Sequence, residues 1–107
     1  MSDNQRRIIV AGNWKMNTTL SDAIALAKGV VDETRGANAD ILIVPPACFL
    51  GDVARVVANT HIALGAQNIH PGEFGAKTGE VSGPMLRSLG VTHVLCGHSE
   101  RRHIFGE

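Results

Sequence analysis

The sequence lacks an excess of charge of either sign: ten Lys and Arg stand against ten Asp and Glu, for a formal net charge of zero. That balance argues against a protein living on nucleic acid or anionic lipid, where a basic surplus supplies the affinity. It lacks any apolar run near the roughly 18–20 residues that span a bilayer. The polar stretch from Met1 to Arg7 leads straight into a short apolar strand, which is not the layout of a signal peptide, so a cytoplasmic location is expected. Cysteine is scarce too. Cys48 and Cys96 follow no metal or redox spacing, and buried thiols in a reducing compartment are the expectation. His93, His98 and His103 recur every five residues, which suits neither a helix face nor a strand face, so no metal site is expected. Glycine-rich nucleotide motifs are missing as well. No G-x-G-x-x-G follows the first strand, and Gly75-Ala76-Lys77-Thr78-Gly79 fails the P-loop spacing.

What is present is an apolar core supply, 44% hydrophobic residues in a chain of 107, enough for one domain. Its pattern alternates short β-branched runs with helical stripes. Ile8-Ile9-Val10-Ala11 reads as a first strand ending at Gly12. Thr19 then opens a helix with Asp22 as a capping partner, and Leu20, Ile24, Ala27 and Val31 form its apolar face. Ile41-Leu42-Ile43-Val44 is the second strand, stopped by Pro45-Pro46 and followed by a helical stripe of Phe49, Val53, Val56 and Val57. Ile62 to Ala66 is a third strand, and Asn68 to Glu80 a long glycine-rich loop. Ser82 to Leu89 is a short helix with Pro84 in its first turn and Gly90 as its stop. Val91 to Cys96 is the fourth strand, after which Gly97-His98-Ser99-Glu100 turns toward another helix. Apolar runs without alternation suit strands buried on both faces, and the intervals exceed the roughly dozen residues of a parallel crossover. The fold class is therefore α/β with a parallel sheet, either open and doubly wound or part of a (β/α)8 barrel.

In both architectures function gathers where strands end. After the first strand, alternation along an extended chain sends Asn13 and Lys15 to one side and Trp14 to the other. A lysine beside an amide donor can hold an anion such as phosphate; the alternative is a solvated lysine and a turn asparagine. After the fourth strand, Ser99 is a candidate N-cap that sets His98 at the positive end of a helix. That field disfavours the imidazolium, leaving a neutral ring able to donate a hydrogen bond to a developing oxyanion. The alternative is a packed strand-end histidine followed by a surface charge run, Glu100-Arg101-Arg102. The Asn68–Glu80 loop, with Phe74 at its middle, is long enough to insert into a partner.

These segments together resemble the N-terminal part of the triosephosphate isomerase family. Ala11-Gly12-Asn13-Trp14-Lys15-Met16-Asn17 is similar to its first-strand signature, and Gly65-Ala66-Gln67-Asn68 to its third-strand end. Gly75-Ala76-Lys77-Thr78-Gly79-Glu80 resembles its interface loop. Gly97-His98-Ser99-Glu100-Arg101-Arg102 and Phe105-Gly106-Glu107 resemble its fourth βα turn. The resemblance runs in order from about Arg7 to Glu107 and implies the parallel (β/α)8 barrel. It also implies interconversion of dihydroxyacetone phosphate and glyceraldehyde 3-phosphate through an enediolate, in glycolysis and gluconeogenesis, without metal or organic cofactor. It implies Asn13 and Lys15 as substrate-binding residues, with Lys15 and His98 as catalytic ones, Lys15 stabilising negative charge and His98 polarising the carbonyl. It further implies Ser99 and Glu100 as residues standing one layer back from the substrate. A neutral histidine at a helix N-terminus is an established device of this family, so the dipole argument agrees with it rather than predicting it. Thr78, Gly79 and Glu80 are implied as a homodimer interface, Thr78 reaching into the neighbouring subunit's site.

A complete barrel needs about 250 residues. Residues 1–107 are accordingly expected to be one segment, the N-terminal half of a barrel with its first four strands and three to four helices. The family's catalytic glutamate follows the sixth strand, its phosphate-gripping glycines the seventh and eighth, and neither is found in this chain. The expectation is a partial isomerase, inactive alone. The alternative is a non-catalytic half-barrel that associates with itself or with a complementing fragment, since its first and fourth strands are unpaired edges.

Overall fold

The computed structural model describes residues 6–107, so Met1 to Gln5 of the polar N-terminal stretch lie outside the described residues. The elements run β1 (Ile9–Asn13), α1 (Leu20–Glu33), β2 (Asp40–Val44), a 3-10 turn (Ala47–Phe49), α2 (Leu50–Val57), β3 (Ile62–Ala66), α3 (Gly83–Ser88), β4 (His93–Val94) and α4 (Ser99–Ile104). The strands form a parallel sheet in the order β1-β2-β3-β4, with Ala11 opposite Leu42, Leu42 opposite Ala63, and Gly65 opposite His93. Consecutive order with a helical crossover each time is the parallel βα pattern that the apolar runs predict. The result is a curled half-barrel whose β1 and β4 ends approach each other, Lys15 Nζ lying 3.3 Å from Glu100 Oε2.

The two central strands are buried on both faces. Ile41, Ile43, Ile62, Leu64 and Ala66 join Ala23, Ala27, Val31, Leu50, Val53 and Val57 of α1 and α2 in one core. Leu42 and Val44 are equally buried but face the inside of the curl. Gly65 lies against them: a Cβ there would meet Val44 Cγ2 at 3.0 Å and Leu42 Cδ1 at 3.3 Å. Glycine thus lets the inner faces of β2 and β3 close up.

Several expectations are corrected. The apolar face of α1 is Ala23, Ala27 and Val31, while Leu20 is 46% exposed. Small alanines let this helix lie close to the sheet, and Leu20 belongs to the first turn, at the margin of the contact. Thr19 is the N-cap, yet its hydroxyl bonds Asp22 Oδ2 rather than a backbone amide. β4 is two residues long instead of six, although Thr92 and Leu95 still donate to Leu64 O and Ala66 O of β3. Gly90 and Gly97, both at positive φ, turn the chain close on either side of it. Cys96 has therefore left the sheet and is exposed. Cys48 is also exposed, because the turn after Pro45-Pro46 carries it over the rim. No helix among the described residues is long and apolar enough to cross a membrane.

The Asn68–Glu80 stretch is closed at its base, where His70 donates its N–H to Val81 O at 2.8 Å and bridges to Ser82. Between them residues 71–80 are all exposed. Ser82 takes the N-cap position of α3 without a side-chain bond, and its Oγ is buried with no partner.

Candidate active site

The site lies at the C-terminal ends of the strands, where the turn after β1 faces the turn after β4. The first turn is built by side-chain amides. Asn13 Oδ1 accepts the N–H of Lys15 at 2.9 Å, and Asn17 Nδ2 donates to Trp14 O at 2.9 Å. The Asn13 bond folds the chain back within two residues and leaves Lys15 left-handed, at φ 56°. For a residue with a Cβ this conformation costs about 1–2 kcal/mol and persists only where its surroundings enforce it. The Trp14 side chain goes the other way, into the core, while its backbone N–H donates to Val44 O at 3.0 Å. Asn13 and Lys15 thus share a side, as alternation predicts, but through a tight turn rather than an extended strand.

The second turn starts at Gly97, whose φ of 62° breaks the line of β4. His98 follows as the N-cap of α4, its Nδ1 accepting the Glu100 N–H at 3.1 Å. This corrects the expectation for Ser99, which is the first helical residue and exposed. The glycine turns the chain one residue earlier, and the imidazole does the capping. An amide N–H can only donate, so the neutral ring accepts at Nδ1 and carries its proton on Nε2. Glu100 Oε1 also lies 3.5 Å from Nδ1, a contact that is an ion pair only in a protonated ring. The amide bond is the shorter of the two contacts.

Asn13, Lys15, Gln67 and His98 line one cavity of about 410 Å³, whose wall includes Leu95 and Phe105. The one carboxylate on its wall among the described residues is Glu100, and that group is paired with Lys15, both side chains about half exposed. Arg101 borders the cavity as well. Its guanidinium grips Glu107, Nε to Oε1 at 3.2 Å and a second nitrogen to the other oxygen, and stacks on Phe105 at 4.9 Å from the ring centroid. Arg101 holds the Glu107 carboxyl below the usual carboxylate range, by hydrogen bonding first and by its charge as well. Chemically, the cavity offers an ammonium and an amide for an anionic substrate, beside an imidazole N–H for a carbonyl oxygen.

Not every candidate residue gathers here. Thr78, Gly79 and Glu80 lie in the exposed loop, outside the wall of this cavity. Gln67 is the residue that sequence reasoning leaves without a role. It sits one position past β3 and donates its amide to Lys15 O at 2.7 Å and to Val44 O at 3.2 Å. Its signal is positional: a long amide side chain at a strand's C-terminal end, within Gly65-Ala66-Gln67-Asn68.

Comparison with known proteins identifies the family. The family model described as "Triosephosphate isomerase" matches residues 8–107. A triosephosphate isomerase of Caldanaerobacter subterraneus subsp. tengcongensis is 49% identical over 102 residues, covering 95% of this chain and 41% of the relative. One from Rhodopirellula baltica is 47% identical over 103 residues with the same coverage. One from Chlamydia muridarum is 49% identical over 100 residues, covering 92% of this chain and 37% of the relative. The chain thus spans about two fifths of the length of these curated relatives, and it belongs to the triosephosphate isomerase family.

Proposed function

We propose that this chain supplies the binding and electrophilic half of an active site that interconverts dihydroxyacetone phosphate and glyceraldehyde 3-phosphate. The observation that carries the reading is the meeting of Asn13, Lys15 and His98 on one cavity, with His98 Nδ1 engaged by the Glu100 amide so that Nε2 is left for substrate. Lys15 attracts the phosphate and offsets charge on the enediolate. The Nε2–H of His98 donates to the substrate carbonyl oxygen as that oxygen gains negative charge, and then exchanges protons between the two oxygens. Asn13 fixes the substrate beside them. The reaction moves protons only, and so calls for neither a metal nor an organic cofactor.

A base must also take the proton from carbon. Glu100 is unsuited: it is engaged by Lys15 and stands beside His98, whereas the proton leaves across the face of the substrate plane. Glu73 and Glu80 belong to the exposed loop. The base is therefore assigned to sequence outside these residues, and residues 1–107 alone are expected to be inactive. The proposed setting is cytoplasmic, in glycolysis and gluconeogenesis.

A homodimer through the Asn68–Glu80 loop fits the same reading. Phe74 is 76% exposed on that loop and Met16 is 96% exposed beside the site, large apolar surfaces that a second subunit would cover. The test of the function is a coupled isomerase assay on the full-length protein and, separately, on residues 1–107. Turnover by the first and not by the second is the expected result. Activity of the 107-residue chain that disappears in a His98→Gln control would instead reveal a base within it.

A further inference from the structure

We propose that His70 is a pH-sensitive latch on the Asn68–Glu80 loop, closed while its ring is neutral and released when the ring takes up a proton. The two ends of the loop meet at this residue. Its backbone N–H donates to Val81 O at 2.8 Å, and it bridges to Ser82 where the loop returns. Its ring holds the outgoing end, Nδ1 accepting the Gly72 N–H at 3.0 Å. Pro71 has no N–H, so Gly72 carries the first main-chain donor beyond the ring. Glycine is also what fits there: a Cβ on Gly72 would stand 3.2 Å from Nδ1 and 3.4 Å from Cε1. Across residues 71–80, the main-chain donors with a partner among the described residues are Gly72, Lys77 and Glu80. The last two bond within the loop itself, to Gly75 O and Lys77 O. The His70 ring is therefore what ties the exposed segment to its half-buried base.

The arrangement is an Asx turn made by an imidazole: an acceptor bonded to Cγ takes the N–H two residues on. Unlike an asparagine oxygen, this acceptor titrates. An amide N–H only donates, and Nδ1 of an imidazolium only donates, so ring protonation and the Gly72 bond exclude one another. The charged ring has other partners at hand. His70 shares a cavity of about 170 Å³ with Glu73, Lys77 and Glu80 of the loop and with Ser82 and Met85 at α3. Glu80 also borders a neighbouring cavity together with Arg101. An imidazolium turned toward Glu73 or Glu80 gains a charge-assisted bond that the neutral ring lacks. The loop thus has two alternative sets of bonds, and proton uptake moves it from one to the other. A weaker subunit contact in acid follows where this loop is the interface. That consequence rests on the homodimer reading, and the latch itself does not.

The full-length protein is compared with His70→Asn, whose Oδ1 is bonded to Cγ as Nδ1 is but does not titrate, and with His70→Leu, which has no acceptor. Amide hydrogen exchange of residues 68–80, corrected for the intrinsic rate, is followed from about pH 8 to about pH 5, either side of the ordinary imidazole range. Protection of the Gly72 amide in the unsubstituted protein should fall on the order of tenfold across that interval, the scale of one hydrogen bond. His70→Asn should stay protected at both ends of the interval, and His70→Leu unprotected at both. Unchanged protection in the unsubstituted protein, or the same fall in His70→Asn, overturns the proposal. If His70→Leu does not fold, His70→Asn decides alone. Sedimentation of the same samples separates the latch from the dimer reading. A dimer that loosens in acid only when residue 70 is histidine joins the latch to the interface. A monomer at every pH removes the dimer reading, and the exchange of Gly72 still decides the role of His70.

Discussion

The inner and outer strands of the sheet are alike in sequence and unlike in environment. Ile8-Ile9-Val10-Ala11 and Ile41-Leu42-Ile43-Val44 are both unbroken apolar runs. In β2 every residue from Ile41 to Val44 is buried, whereas Ile9 and Val10 of β1 are 56% and 53% exposed. The difference is one of neighbours rather than composition: β2 has a strand on each side, and β1 has one partner among the described residues. The chemistry follows the same division. Asn13, Lys15 and His98 hang from the ends of the outer strands, while Val44 and Gln67, from the inner strands, supply the bonds that hold the first turn in place. A buried centre holds the candidate site at the rim.

The sharpest way to break that division is at the rim. His98→Gln keeps a polar side chain but removes the imidazole proposed to donate to the carbonyl oxygen and return the proton. Isomerisation by the full-length protein should slow by about 10²–10⁴-fold, the range for a positioned proton-transfer group. Far-UV circular dichroism should stay the same. A loss of only a few-fold would move the chemistry away from the β4 end.

The centre and the edge can then be compared directly in stability. Leu50 of α2 is 1% exposed against the inner strands, and Leu50→Ala should cost about 2–5 kcal/mol in denaturant unfolding. Val10→Ala on β1 should cost less, about 0.5 kcal/mol, as for a surface position. Measured on residues 1–107, this contrast tests the exposure of β1. Measured in the full-length protein, a Val10→Ala cost rising toward that of Leu50→Ala would show that further chain covers the strand.

A smaller effect is expected at the loop. Thr78→Arg places a charge where a partner subunit is proposed to dock, and desolvating that charge opposes association. Sedimentation of the full-length protein at low micromolar concentration should shift toward monomer. An unchanged profile would take Thr78 out of the interface.

How much of this was legible depends on what each feature rests on. The order of strands and helices follows from local pattern, and β3 falls on Ile62–Ala66 as the apolar run indicates. The convergence of Asn13, Lys15 and His98 was legible through family resemblance. Details set by tertiary neighbours were not. Nothing local to Ile8–Ala11 distinguishes an edge strand from a central one. Ser99 is a better N-cap former than histidine by type, yet the turn at Gly97 brings the His98 ring to the amide. Cys48 and Cys96 are exposed because both lie past the ends of strands, which composition does not register. Gln67 acts on residues more than fifty positions away, so no window of sequence pairs it with Lys15.

The smallest predicted effect sharpens the comparison at its outermost point, the Arg101–Glu107 pair behind the β4 turn. The Arg101 hydrogen bond holds the Glu107 carboxyl below its ordinary range in the folded state, and the unfolded chain lacks that bond. The folded state therefore binds the Glu107 proton more weakly than the unfolded state does. The pair's contribution is fully present above the unfolded carboxyl's range and is lost as pH falls through the depressed folded value. Both side chains are partly exposed, at 33% and 44%, so the effect is modest and screened by salt. Melting temperatures of the unsubstituted protein and of Glu107→Gln, followed from neutral pH into acid, should differ at neutral pH and converge in acid. The neutral-pH gap should narrow in high salt, unlike the cost of Leu50→Ala, which burial sets. A gap that persists into strong acid would mean that Glu107 acts through packing, and that the rim at α4 is held as the centre is, by contact rather than by charge.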